Sequence, residues 1–162
     1  MGLFKPKVRK DITEKEKDAL AFMSNRVVSG LPVSKNSVFQ TYFYEDRIMI
    51  DDGSRTFNLN LEKIEDICMK TDVEIQKAMV SSAGGAVAGG MIFGPIGAIV
   101  GGRTKEKEIR DVTTYLIITY GSNEEQKYIS FNVTYDYKRA CKFVEVFNQR
   151  FKKVEGNKIV EL

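Results

Sequence analysis

Carboxylates are the best candidates for catalytic chemistry in this sequence, because the chain contains no histidine, the commonest general base. Two groups lie close enough along the chain to act together: Asp51 with Asp52, and Glu62 with Glu65 and Asp66. Such pairs can divide the roles of general acid and general base. However, the first pair precedes Gly53 as a turn would, and the second group fits a solvated face. We therefore predict that the protein is not an enzyme and that it holds no cofactor and no metal.

Other motifs with a chemical meaning are missing from the sequence or incomplete. There is no GxSxG, GxxxxGK[ST] or HExxH pattern, and GGAVAGG (84–90) has neither a Lys-Ser/Thr ending nor a βαβ context. Cys68 and Cys141 are far apart in sequence, which disfavours a zinc site or a disulfide and favours a reducing, cytoplasmic setting. We predict both cysteines to be core positions. The net charge of +3 does not favour nucleic acid as a partner.

The elements that would position a site begin with a predicted helix from Thr13 to Val28. Its start is a capping-box spacing, and Leu20, Met23 and Val27 would form its apolar face. Strands are predicted at VFQTYFY (38–44), RIMI (47–50), RTFNLNL (55–61), EKIEDICMKT (62–71, a bend and a short strand), TTYLIITY (113–120) and KYISFNV (127–133). The polar GSNEEQ sequence (121–126) is expected to be a loop. A closing amphipathic helix over 136–152 would bury Ala140, Phe143, Val144, Phe147 and Phe151.

The run from 78 to 102 contains 25 residues without a charge, more than the roughly 20 that a transmembrane helix needs. The strands on its two sides are too few to fold separately, so they must complete one sheet on the same side of any membrane. Gly94-Pro95 would also break a single helix. We therefore predict a hairpin of two short helices, 78–93 and 95–102. GxxxG spacings at Gly85, Gly89, Gly90, Gly94, Gly97 and Gly101 would let helices approach closely, as in a glycine zipper.

Two kinds of contact are open to this run: a membrane, or other copies of the chain. In a lone chain without lipid, its apolar side chains would form an exposed patch, at Met91, Ile92, Phe93, Ile96, Ile99 and Val100. Basic residues near the run and in the N-terminal tail could bind anionic head groups, at Lys5, Lys7, Arg9, Lys10, Lys77, Arg103, Lys105 and Lys107. The alternative for the charges between Lys105 and Glu108 is a solvated loop.

The meander, the insertion AGGAVAGGMIFGPIGAIVGGRTKEK (83–107), the YLIITY and YISF strands and the Phe-rich closing helix together resemble a known family. The chain is similar to a group of bacterial proteins, common in Firmicutes, whose core looks like a pleckstrin-homology-like (PH-like) domain with a glycine-zipper insertion. The resemblance implies an α+β half-open barrel of two orthogonal sheets capped by a C-terminal helix. It implies binding to lipid head groups, peptides or other copies, and no catalysis.

The implied domain spans 31–152, interrupted by 78–102, after a basic tail and helix over 1–30 and before a tail over 153–162. The basic loop that marks phosphoinositide binding, between the first two strands, is not matched by residues 44–47. We therefore expect a cytoplasmic adaptor that lies peripherally or re-entrantly at the inner face of the cell membrane, or that assembles with itself. A soluble homo-oligomeric scaffold and a membrane-perturbing effector are the alternatives.

Overall fold

The computed structural model describes residues 10–82, 95–101 and 111–151. Within these ranges the chain forms one seven-stranded antiparallel sheet in the order β4-β3-β2-β1-β7-β6-β5, flanked by helices. The strands are β1 (Ala21–Ser29), β2 (Val38–Phe43), β3 (Arg47–Asp51), β4 (Thr56–Asn60), β5 (Ile64–Thr71), β6 (Thr114–Ser122) and β7 (Glu125–Asn132). The helices are α1 (Lys10–Lys17), α2 (Asp72–Ser82), α3 (Pro95–Gly101) and α4 (Tyr137–Phe151). The predicted α+β class is thus confirmed.

The predicted helix from Thr13 to Val28 is wrong, because α1 ends at Lys17 and β1 follows. Met23 and Val27 are four residues apart. This spacing puts two side chains on the same face of a helix, and it also puts them on the same face of a strand, where every second residue faces the same way. Ala21 and Asn25 are buried together with them, which is the alternation of a strand. β1 lies in the middle of the sheet, so the sheet begins before the predicted domain start at residue 31.

The sheet consists of two meanders, β1–β4 and β5–β7, joined where β1 pairs with β7. Arg26 lies opposite Asn132 in this pairing, and a bulge falls between Val27 and Ser29. The hydrogen-bonded sheet is therefore continuous, in place of the two separate sheets that the resemblance implied.

The predicted strands are confirmed, but β6 and β7 extend through much of the predicted GSNEEQ loop. They meet at a tight turn where Asn123 and Glu124 both have positive φ, as in a type I′ hairpin.

Helix α4 covers one face of the sheet, which we call the inner face and which carries Met23, Phe43 and Leu116. The ring of Phe143 on α4 meets the ring of Phe43 edge-on, with centroids 5.7 Å apart. Helix α4 contacts both β1 in the middle of the sheet and β5 at its edge, so it lies across this half of the inner face. The predicted apolar stripe is confirmed at Ala140, Phe143 and Phe147, which are buried, whereas Val144 is half-buried and Phe151 is 40% exposed.

Candidate interaction site on the outer face

The insertion occupies the place of the turn in the β5–β6 hairpin. Thr71 at the end of β5 lies opposite Thr114 at the start of β6. Just beyond this pair, the Asp72 N–H donates to the carbonyl of Thr113 at 3.0 Å, and the Thr113 N–H donates to Oδ2 of Asp72 at 3.3 Å. Both ends of the insertion therefore leave the sheet at the same point. This agrees with the prediction that the strands before and after the insertion belong to one sheet.

Helix α2 begins at Asp72 because Thr71 and Glu74 form a capping box. The Glu74 N–H donates to Oγ1 of Thr71 at 3.2 Å, and the Thr71 N–H donates to Oε2 of Glu74 at 2.7 Å. The Thr71 N–H and, to a smaller extent, the Thr71 hydroxyl both donate to the Glu74 carboxylate and lower its pKa. The first helix of the insertion was predicted to begin at residue 78, so this start was missed. The T-x-x-E pattern at 71–74 was the signal for it, whereas the same pattern at Thr13 lies inside α1.

Helices α2 and α3 pack against each other and against the face of the sheet opposite α4, which we call the outer face. Ile75 on α2 and Ile96 on α3 are completely buried, and Val100 on α3 is 1% exposed. They form a second apolar cluster with Tyr115 and Ile117 of β6. The two helices are thus part of the folded core, and they fix the position of both ends of the segment between them.

The expectation that the apolar residues of the run form an exposed patch in a lone chain is wrong for Ile96 and Val100. These side chains are buried on the protein's own sheet, and Ile99 is half-buried beside them. The second predicted helix matches α3, which contains Gly97 and Gly101. The remaining predicted contact residues lie outside the described residues: Gly85, Gly89, Gly90, Gly94, Met91, Ile92 and Phe93.

Helix α1 also lies on the outer face, over β2 and β3. Nζ of Lys15 donates to Oδ2 of Asp51 at 2.9 Å, and the Tyr44 hydroxyl donates to the Lys15 carbonyl at 2.9 Å. Asp51 is 2% exposed; burial raises its pKa, but hydrogen bonds from Lys15, Thr56 and Gly53 outweigh burial and lower it overall. This carboxylate is held ionised as an anchor for α1, which is a structural role.

Two of the other candidate carboxylates, Asp52 and Glu65, also accept structural hydrogen bonds. Asp52 accepts from the N–H groups of Ser54 and Arg55 in the turn after β3, and these bonds lower its pKa. Glu65 accepts from the Gln126 side chain at 2.6 Å. Within the described ranges, no group of three or more histidine, cysteine or carboxylate side chains is placed to hold a metal ion.

Of the predicted head-group contacts, Lys10 and Lys77 lie in the described ranges. Lys10 is the first residue of α1 and Lys77 lies on α2, and both are exposed. They therefore belong to two helices that cover the same face of the sheet. The other predicted basic residues lie outside the described residues: Lys5, Lys7, Arg9, Arg103, Lys105 and Lys107. The sequence pattern predicts residues 44–47 as the loop between the first two strands. In the structure these residues join β2 to β3, and the loop between β1 and β2 consists of residues 30–37.

A polar cleft that the sequence did not suggest lies on the outer face. It has a volume of about 460 Å³ and is lined by Ser24, Asn25, Arg26, Asn36, Val38, Asn132 and Tyr135. Its residues come from β1, the loop after β1, β2 and the end of β7, and they meet only because β1 lies between β2 and β7. The sequence prediction missed the cleft because it placed Ser24 and Arg26 on a helix.

Comparison with known proteins finds no matching family model and no matching curated protein. The PH-like family therefore stays an expectation from the sequence motifs. None of the helices in the described part of the chain is both long enough and apolar enough to cross a membrane.

Proposed function

We propose that the protein is a non-enzymatic adaptor that binds the surface of an anionic membrane peripherally through residues 83–94. One observation carries the proposal: α2 and α3 pack against each other on the outer face, and the uncharged residues 83–94 connect these two helices in the sequence. Ile96 and Val100 are buried in the protein, so we propose that the apolar contacts to lipid come from Met91, Ile92 and Phe93.

A PH-like core is the second part of the proposal. It is supported by a meander of four strands followed by a meander of three, by the pairing of the first strand with the last, and by the closing helix α4. In such a core, the inner face is filled by the closing helix. The loops and the helices that lie on the outer face are then the surfaces that remain for partners.

Electrostatic attraction would add to the apolar contact. Lys77 is exposed on α2, and Arg103, Lys105 and Lys107 follow α3 in the sequence. Each basic side chain near an anionic surface contributes about 1 kcal/mol, and salt screens this attraction. We therefore expect binding to anionic vesicles to weaken as salt is raised, and binding to neutral vesicles to be weaker throughout.

Co-sedimentation with vesicles of phosphatidylcholine alone, and of phosphatidylcholine with phosphatidylserine, tests the proposal. The key variant replaces 83–94 with a Gly/Ser segment of the same length, because deleting all of 78–102 would also remove Ile96 and Val100 from the folded core. The control is Val112→Ser, which removes an apolar side chain that is 50% exposed outside the insertion. We expect the wild type and the control to pellet with anionic vesicles and the replaced variant to remain in the supernatant.

The alternatives give different results in the same set of measurements. A wild type that stays in the supernatant and runs as a larger particle than the replaced variant would overturn membrane binding and support a soluble scaffold assembled through the zipper. Release of dye from loaded vesicles by the wild type would instead support a membrane-perturbing effector.

A further inference from the structure

Among the described residues, strand β4 lies at an edge of the sheet and pairs on one side only, with β3. The Asp52 N–H donates to the Arg55 carbonyl at 3.1 Å, and the Leu61 N–H donates to the Asp46 carbonyl at 3.2 Å. Along an antiparallel strand, residues whose backbone N–H and C=O groups bond to one neighbouring strand alternate with residues whose groups point to the other side. The residues of β4 whose backbone N–H and C=O groups point away from β3 are therefore Thr56, Asn58 and Asn60.

This edge lacks the features that usually prevent edge-to-edge pairing. Its sequence, TFNLN, contains no charge and no proline, and its register with β3 is regular. The opposite edge, β5, has a bulge between Ile64 and Asp66, carries charged residues, and contacts α2 and α4. The difference points to β4 as the edge that accepts another strand.

The pattern of β4 is complementary to itself in the antiparallel direction. If Asn58 lies opposite Asn58 of a second copy, Thr56 lies opposite Asn60, and Phe57 lies opposite Leu59. Polar residues then meet polar residues on the outer face, and apolar residues meet apolar residues on the inner face. All outward backbone groups fall in hydrogen-bonded pairs in this register, and a shift by one residue would pair apolar with polar side chains.

The ends of the strand agree with the same register. Arg55, which precedes β4, forms an ion pair with Asp52 of its own chain at 3.0 Å and is 49% exposed. The exposed Glu62 follows β4, so an antiparallel pair places each Arg55 near the end of the other copy that carries Glu62. A surface depression of about 540 Å³ beside Asn60 is lined partly by Phe151, which is 40% exposed. A second copy on this edge would cover part of that apolar surface.

We propose that the protein forms a two-fold dimer through antiparallel pairing of β4 with β4 of a second copy, centred on Asn58. Two edges of this length bury less than the roughly 1,200 Å² of a standard interface, so we expect a dissociation constant on the order of tens to hundreds of micromolar. The dimer does not depend on residues 83–94, so it is independent of the membrane proposal.

Charge substitutions at Asn58 test the dimer, because this residue would face itself across the two-fold axis. Asn58→Lys and Asn58→Asp should each raise the dissociation constant at least about tenfold, since like charges then lie directly opposite. An equimolar mixture of the two variants should regain dimers, because opposite charges meet. Sedimentation equilibrium over a concentration series measures the dissociation constants of the two variants and of their mixture. The measurement is made in full-length protein, with and without the replacement of 83–94. Glu125→Lys, at an exposed position on β7, is the charge control and should dimerise like the wild type.

Three outcomes would overturn the proposal: single variants that dimerise like the wild type, a mixture that remains monomeric, or a wild type that is monomeric at millimolar concentration. Hydrogen exchange gives a second measurement. Protection of the Asn58 amide should increase with protein concentration. Protection that is independent of concentration would mean that another part of the same chain pairs with β4, and that result too would overturn the dimer.

Discussion

Replacing Ile75 by alanine should destabilise the protein strongly, because this side chain joins α2 to the outer face of the sheet. Ile75 is completely buried in the cluster with Ile96, Val100, Tyr115 and Ile117. The substitution removes three buried carbon atoms, and at about 0.8 kcal/mol for each the transfer free energy alone is about 2.4 kcal/mol. The cavity left behind adds to this, so we expect a loss of about 2.5 to 4 kcal/mol in the free energy of unfolding.

Urea denaturation followed by circular dichroism measures this loss. Val112→Ala serves as the control, because this side chain is 50% exposed and its truncation should change the free energy of unfolding by less than about 0.5 kcal/mol. Ile118→Ala, which truncates an equally buried residue on the inner face, should cost about as much as Ile75→Ala. If Ile75→Ala behaved like Val112→Ala, α2 would not be packed on the sheet, and the packing of α2 on which the proposed function depends would be refuted.

Three further predictions concern single residues of the fold. Gly30 has φ +94°, and a Cβ there would lie 1.9 Å from the Tyr128 carbonyl oxygen. Gly30→Ala should therefore lower the unfolding temperature much more than Gly53→Ala does. At Gly53 the positive φ alone opposes a side chain, at a cost of about 1–2 kcal/mol. Asp51 has a pKa below its ordinary value of 3.8, so its contribution to stability is present above that value and is lost as the pH falls through the lower folded pKa. Asp51→Asn should reduce the acid dependence of urea denaturation, and an unchanged dependence would contradict the anchoring role. Thr71→Val should cost about 1 kcal/mol in unfolding free energy by removing the helix cap, whereas the exposed Thr13→Val should cost less than about 0.5 kcal/mol.

Most strands could be predicted from the sequence because their local patterns admit one interpretation. The alternation of Phe57 and Leu59 with polar neighbours fits a strand and no helical face. The stripe of α4 fits a helix and no strand, since Ala140, Phe143 and Phe147 recur at intervals of three and four. In both cases the apolar period alone identifies the element.

Other features depend on partners that are distant in sequence. Met23 and Val27 fit either period, and only the pairing of β1 with both β2 and β7 identifies them as strand residues. The cleft with Arg26 is a consequence of the same pairing. Likewise, the uncharged run includes Ile96 and Val100, which the fold buries in its own core, and composition does not reveal that burial.

The burial of Ile96 and Val100 limits the membrane contact that we propose for the insertion. These two residues of the uncharged run belong to the folded core, and the proposed contact segment, 83–94, has twelve residues. A helix of twelve residues would reach only about 18 Å, whereas a hydrocarbon core is about 30 Å thick. We therefore expect the proposed contact to be confined to one side of a bilayer. For the same reason, the free energy of binding should depend on Phe93 and its neighbours and on the anionic charge of the surface, and a thicker bilayer of equal charge should bind equally well.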